Sequence, residues 1–359
     1  MKFVHTGDIH YGMCPDSDKP WAREREQAVK ASLASIVATV KTEQAELLLI
    51  AGDLFHRQPT LRELKEVNYL FSVIPAVQIV IIAGNHDYIR ESSALLSFTW
   101  AENVHYITTA ELDSIALPKL HTEVYGFSYH QKEITEDLLA SLHIPENESI
   151  RILLCHGGDA RHLPLNPSTL AAAGFSYCAL GHIHKPQALC SDRVVWCGSP
   201  EPLDLTETGA HGCYVGEIDD STRQLSSLRF IPLSKLQYIS LKIQVTPEST
   251  NEELLMNVEE EIRRRGAQNI YRLKIHGMRD PDILFEADRL KDRYRIAELI
   301  DESEPRYDFP RLFAEHPSDM IGFFIQELDR PDMSELDRKA LYYGVNALLR
   351  TTDERSSGT

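Results

Sequence analysis

Two short stretches constrain this chain more than any other feature: LLLIAGD at 47–53 and IVIIAGNHD at 79–87. Each opens as an unbroken apolar run and stops at a glycine followed by polar side chains. The runs lack the apolar–polar alternation of a half-exposed strand and are too short for an ordinary helix. Each therefore reads as a strand covered on both faces. Such a strand has to lie inside a layered sheet, with helices or a second sheet above and below it.

The rest of the N-terminal half supplies those layers. KFVHTGD reads as a strand, helical spacing joins Ala28, Leu33, Ile36, Val37 and Val40 over 22–42, and a second helix is predicted over 60–73. Further strands are predicted in HTEVYGFSY, SIRILLCHG, YCALGHIH, RVVWCGSP, GCYVGEIDD and LRFIPL, with a short helix opened by Pro167. The alternation places the chain in the α/β class. Near residue 233 the pattern changes to a strand (LQYISLKIQV), an amphipathic helix ending at Gly266, and strands at NIYRLKIHG and RYRIAELIDE. We therefore expect a first domain over 1–234, a smaller α/β domain over 235–305 and a helical segment over 306–351. That segment reads as two helices split by RPDMS, and a polar, disordered tail is expected over 352–359.

The strand ends carry the chemistry. The first strand runs into Asp8 and His10, the second into Asp53, His56 and Arg57, and the third into Asn85, His86 and Asp87. Later strands end in His156 and in His182 and His184. In an open α/β sheet ligands gather at the carboxyl ends of the strands. The set offers oxygen and nitrogen donors and no thiolate, which suits manganese, iron or zinc. It is larger than one ion needs and points to two ions sharing a bridging carboxylate. Such a pair can clamp the attacking and leaving oxygens of an in-line displacement at phosphorus.

Composition narrows the class. Lys and Arg total 37 against 54 Asp and Glu, a net charge of -17, which excludes a general basic coat for nucleic acid. A nucleic-acid enzyme remains open if bound cations or a basic partner subunit supply positive charge. The 6 cysteines include no C-x-x-C pair and read as free thiols. No apolar run is long enough to cross a bilayer and MKFVHTGDIH is not a signal peptide, so no membrane association and a cytoplasmic location are expected.

The motif order D-x-H, G-D, G-N-H-D, H-G, G-H-x-H resembles the calcineurin-like metallophosphoesterase superfamily. More narrowly, GDLFHRQP, GNHD, GHIHKPQ and GSPEP resemble the DNA-repair exonucleases of the SbcD type, over roughly residues 1 to 235. The resemblance implies a two-sheet α/β metallophosphoesterase sandwich with a smaller α/β capping domain and a C-terminal helical pair. It implies that Asp8, His10 and His184 hold one metal, that Asn85, His156 and His182 hold the other, and that Asp53 bridges. It further implies that His86 acts on the leaving oxygen or the phosphorus and that Asp87 orients His86, although a turn-closing role for Asp87 fits as well. Two divalent ions per chain, with manganese active, a homodimer, DNA as substrate and an SbcC-type ATPase partner follow from the same resemblance, as does hydrolysis by a metal-bridging hydroxide.

The remaining candidates divide. His56 and Arg57 could touch substrate, though a loop histidine and a salt bridge fit equally. His5 reads as buried and structural; His105, His121, His130 and His143 read as surface residues; His162 and His211 are near the site residues in sequence, and nothing more is read from them. The Arg263–Arg265 run reads as a helix C-terminus complementing its dipole. A small-molecule phosphodiesterase or phosphatase on the same metal centre is the alternative function, and a non-catalytic scaffold a more distant one. The cap of about 70 residues favours a polymeric substrate.

Overall fold

A computed structural model describes residues 1–140, 142, 144 and 148–356. His143 therefore lies outside the described residues. The strands are β1 (Lys2–Thr6), β2 (Leu47–Ala51), β3 (Gln78–Ile82), β4 (Val104–Ile107), β5 (Asp113–Leu117), β6 (Thr122–Gly126), β7 (Ile150–His156), β8 (Tyr177–Gly181), β9 (Gln187–Leu189), β10 (Val194–Trp196), β11 (Gly212–Ile218), β12 (Leu225–Pro232), β13 (Tyr238–Val245), β14 (Ile270–Arg279) and β15 (Ile296–Pro305). The helices are α1 (Ala22–Glu43), α2 (Leu61–Ser72), α3 (Ala94–Ser97), α4 (Pro167–Ala172), α5 (Asn251–Arg265), α6 (Phe309–Glu315), α7 (Met320–Leu328) and α8 (Glu335–Ser356). The chain divides into two compact units, Met1–Tyr238 and Ile239–Thr359.

The first unit is built on two six-stranded sheets, ordered β12-β11-β1-β2-β3-β4 and β5-β6-β7-β8-β10-β9. The apolar runs are explained by where β2 and β3 sit. Leu48, Ile50, Ile79 and Ile81 pack toward Leu33, Ile36 and Val40 of α1 and Leu64, Val67 and Phe71 of α2. The alternate residues Leu47, Leu49, Val80 and Ile82 pack toward Val124, Ile152, Leu154 and Ala179 of the second sheet. A third apolar layer, including Phe127, Leu153, Cys155, Phe175 and Leu180, covers the far face of that sheet. Burying both faces of β2 and β3 is the main apolar driving force of this unit. All six cysteines are free, and Cys155, Cys178, Cys197 and Cys213 are buried.

β1, β2 and β3 run parallel, as do β7 and β8, so each sheet delivers its carboxyl ends to one edge. The sheets approach closely there: a side chain on Gly181 would collide with the carbonyl oxygen of Ala51. That carbonyl accepts a hydrogen bond from His156 Nδ1 at 2.9 Å, which ties β7 of one sheet to β2 of the other. The short strands β4, β5 and β9 add to sheet edges and were not read from the sequence.

The second unit pairs a three-stranded sheet, β13-β14-β15, with α5. α5 begins in a capping box between Thr250 and Glu253, and Leu254, Val258 and Ile262 form its buried stripe. Arg264 and Arg265 pair with Glu261 on the same helix. The helical segment departs from expectation in holding three helices. Its first predicted helix is interrupted after His316, where Pro317 lacks an amide donor and Asp319 caps a new helix by accepting from Ile321 N and Gly322 N. Residues 352–356, expected in a disordered tail, belong to α8; the last three residues lie outside the described ones.

Candidate metal centre

Asp8, His10, Asp53 and His182 all adopt left-handed backbone angles, with φ of 49, 49, 48 and 87°. Residues other than glycine avoid this region at a cost of about 1–3 kcal/mol each, and such strain gathers at functional sites. Here it falls just beyond β1, β2 and β8, where the candidate ligands sit. Neighbouring glycines make the room: a side chain on Gly84 would strike the Asp53 carboxylate, and one on Gly52 would strike the His156 ring.

The structure brings together Asp8, His10, Asp53, Asn85, His156 and His184, while the His182 ring packs against His156 with its Nε2 on Asp159. Asp8, His10 and His184 place donor atoms within 4.8 Å of one another, as do Asp8, Asp53 and His156. His10 Nε2 lies 3.2 Å from His184 Nε2 and 3.7 Å from Asp53 Oδ2. His156 Nε2 lies 2.9 Å from Asn85 Oδ1 and 3.5 Å from Asp53 Oδ2, so Asp53 stands between the two groups. The other Asp53 oxygen accepts from the His86 amide at 2.9 Å, and the Asp8 carboxylate accepts from the His182 amide.

Electrostatics argue for cations. Asp8 and Asp53 are wholly buried, and among the described residues no lysine or arginine is paired with either. Burial pushes Asp8 up to about 6 against the opposing pull of His156 and His184. Burial would lower His156, but the Asp53 and Asp8 charges outweigh it and raise the imidazole to about 9. His184 is likewise raised to about 9, its burial outweighed by the hydrogen bond to Glu207 and the charge of Asp8. Burial and the charge of His156 lower His182 to about 4. Buried carboxylates that recruit protons onto adjacent imidazoles are a site that divalent cations fit.

The residues read as catalytic separate. His86 is exposed at the cleft, stacks on His56 with ring centroids 5.2 Å apart, and meets His10 edge-on at 4.7 Å. Asp87 does not reach the His86 ring. Its carboxylate is buried and accepts from Phe55 N at 3.1 Å and Gly84 N at 2.8 Å. It braces the loops after β2 and β3, as the turn-closing reading had it. Arg57 forms a paired salt bridge with Glu63 at 3.0 and 2.9 Å, although it still borders the cleft.

Other histidines sort by contact. His5 is buried against the Tyr177 hydroxyl, and His211 is buried against Ser199. His121 and His130 are exposed, whereas His105 is half-buried and bonded to Gln78. Sequence reasoning missed Asp159 and Glu207, which bond to His182 and His184 at 2.7 and 2.6 Å. An open cleft of about 410 Å³ extends from His56, Asn85 and His86 past Tyr88, Arg90, Lys132 and Arg161.

The family model for calcineurin-like phosphoesterases matches residues 1–186. The chain belongs to this family. It is a metallophosphoesterase, a hydrolase of phosphoester bonds whose family works through a dimetal centre. It is 26% identical over 381 residues to the metallophosphoesterase YhaO of Bacillus subtilis, covering 95% of this chain and 91% of that one. It is 24% identical over 388 residues to the DNA double-strand break repair protein Mre11 of Methanopyrus kandleri, covering 92% and 80%. It is 26% identical over 264 residues to the SbcD component of the SbcCD nuclease of Rhodobacter capsulatus, covering 58% and 64%. Among the described residues no helix is long and apolar enough to cross a membrane.

Proposed function

We propose that this phosphoesterase is a DNA nuclease of the SbcD type, using two divalent ions, manganese the active one. The observation that carries the reading is the cleft beside Asn85 and His86. In a chain of net charge -17, its wall beyond the metal residues carries Arg90, Lys132 and Arg161, the last paired with Glu133 of the same wall, and the ring of Tyr88, over which the Arg90 guanidinium lies at 4.6 Å. A phosphomonoester needs no such extension. A polynucleotide has further phosphates for the cations and bases for the aromatic face. The names of the Methanopyrus and Rhodobacter relatives support the same reading.

Asp8, His10 and His184 would hold one ion and Asn85, His156 and His182 the other, with Asp53 shared. Bound there, the ions supply a water-derived nucleophile near neutral pH and charge stabilisation at phosphorus. The chain's own part is to aim the phosphate and handle the proton. His86 faces the cleft and protonates the leaving oxygen or stabilises the five-coordinate phosphorus, and His56 packs against it. The ATPase partner, the homodimer and the cytoplasmic setting belong to the same proposal. A partner that brings basic surface would offset the acidic charge.

Cleavage of end-labelled duplex and single-stranded DNA with manganese tests the reading, with a chromogenic phosphodiester beside it. DNA cut by the wild type and left whole by a His86→Ala protein that still holds metal supports it. Hydrolysis of the small ester alone, with the ATPase partner present, overturns it.

A further inference from the structure

Asp159 and Glu207 lie outside every motif that marks the metal centre, yet each closes on the outer nitrogen of a motif histidine. Glu207 Oε1 accepts from His184 Nδ1 at 2.6 Å, and Asp159 Oδ2 accepts from His182 Nε2 at 2.7 Å. An imidazole that donates from one nitrogen keeps its lone pair on the other. His184 is thereby left with Nε2 free toward His10 and Asp8, at 3.2 and 3.8 Å. His182 is left with Nδ1 as its free nitrogen and packs edge-on against His156, with centroids 5.2 Å apart. The two histidines are held in opposite tautomers.

Both carboxylates are themselves fixed. Glu207 Oε2 accepts from Leu203 N at 2.8 Å and Ser199 Oγ at 3.2 Å. Asp159 Oδ1 accepts from Arg161 N at 2.7 Å and His162 N at 2.9 Å. Each is set in place by its own loop, and each reaches one histidine only among the motif residues. Carboxylates in this position fix ring orientation and raise the basicity of a metal-binding imidazole.

We infer that Asp159 and Glu207 are positioning residues, one for each ion, acting through His182 and His184. The inference rests on the two-ion reading of the site. It gives the ions separable supports: Glu207 serves the ion held with Asp8 and His10, and Asp159 the ion held with Asn85 and His156. Asp159, His162 and His182 also place donor atoms within 4.8 Å of one another, so a cation seated among them is the rival account.

Manganese titration of the metal-stripped full chain, by calorimetry and by electron paramagnetic resonance, decides between them. The wild type should bind two ions. Asp159→Ala and Glu207→Ala should each weaken one ion by roughly 10–100-fold and leave the other unchanged. Asp159→Asn and Glu207→Gln, whose amide oxygens still accept, should restore most of the loss. Nitrogen-15 spectra of the metal-stripped protein, recorded at a pH where both rings are neutral, should show opposite tautomers for His182 and His184, lost one at a time in the alanine variants. Variants that bind both ions like the wild type overturn the inference. So does a third ion lost in Asp159→Ala, or equal weakening of both ions with a lowered melting temperature. A wild type that takes up no manganese overturns the two-ion reading and this inference together.

Discussion

His86 Nδ1 lies 3.1 Å from the main-chain carbonyl oxygen of His56. A carbonyl only accepts, so Nδ1 donates to it and Nε2 is the nitrogen turned to the cleft, where the proposed acid role requires a proton on Nε2 as well. The ring is oriented by backbone rather than by the neighbouring Asp87. His86→Ala should lower hydrolysis by roughly 10²–10⁴-fold while metal content is unchanged. His56→Ala removes the stacked ring but keeps the carbonyl, so it should lose far less. Steady-state rates with metal content measured on the same samples check both.

Asp87 has a different weight. Its carboxylate satisfies two buried amides, those of Phe55 and Gly84. Asp87→Ala should cost about 1–3 kcal/mol for each amide left unpaired. Urea unfolding of the metal-free protein reads this directly. Unchanged stability with lost activity would restore Asp87 to the role of orienting His86.

Gly84 leaves no room for a methyl group, because its Cβ would fall on the Asp53 carboxylate. Gly84→Ala should push aside the one carboxylate that stands between both metal groups. Loss of manganese binding by calorimetry, out of proportion to any fall in melting temperature, is the expected result.

Metal uptake should depend on pH in a set direction. His156 and His184 are raised to about 9, so at neutral pH protons occupy nitrogens that a metal must claim. Apparent affinity should rise as pH climbs toward about 9 and level off above it. Calorimetry in buffers of different ionisation enthalpy should show proton release near neutrality that vanishes above that pH.

His5 makes an acid prediction away from metal. Burial lowers its imidazole to about 3 from the ordinary 6.5. The unfolded chain therefore takes up a proton near 6.5 that the folded chain refuses until about 3. Stability contributed by this group is present above 6.5 and lost as pH falls through that window. The metal-free wild type should lose stability more steeply there than His5→Asn, which has no proton to bind.

Much of the first unit was legible because its information is local. The unbroken runs of β2 and β3 announced burial on both faces, and the glycine and polar residues after them marked the ends that carry Asp53, Asn85 and His86. The same rule found Asp8, His10, His156, His182 and His184. Helical periodicity located α1, α2 and α5 but missed the break at Pro317, where the apolar stripe continues across a capped interruption. Tertiary structure alone decided which group each side chain touches. Glu207 and Asp159 are each 23 residues from the histidine they hold, in loops with no period to read. Asp87 sits beside His86 in sequence, yet its carboxylate turns to the Phe55 and Gly84 amides, since a buried carboxylate settles where donors are free. Periodicity reports which face of a strand is buried. The partner of an imidazole's second nitrogen depends on how separate loops close over the sheet edge, and only the folded chain specifies that.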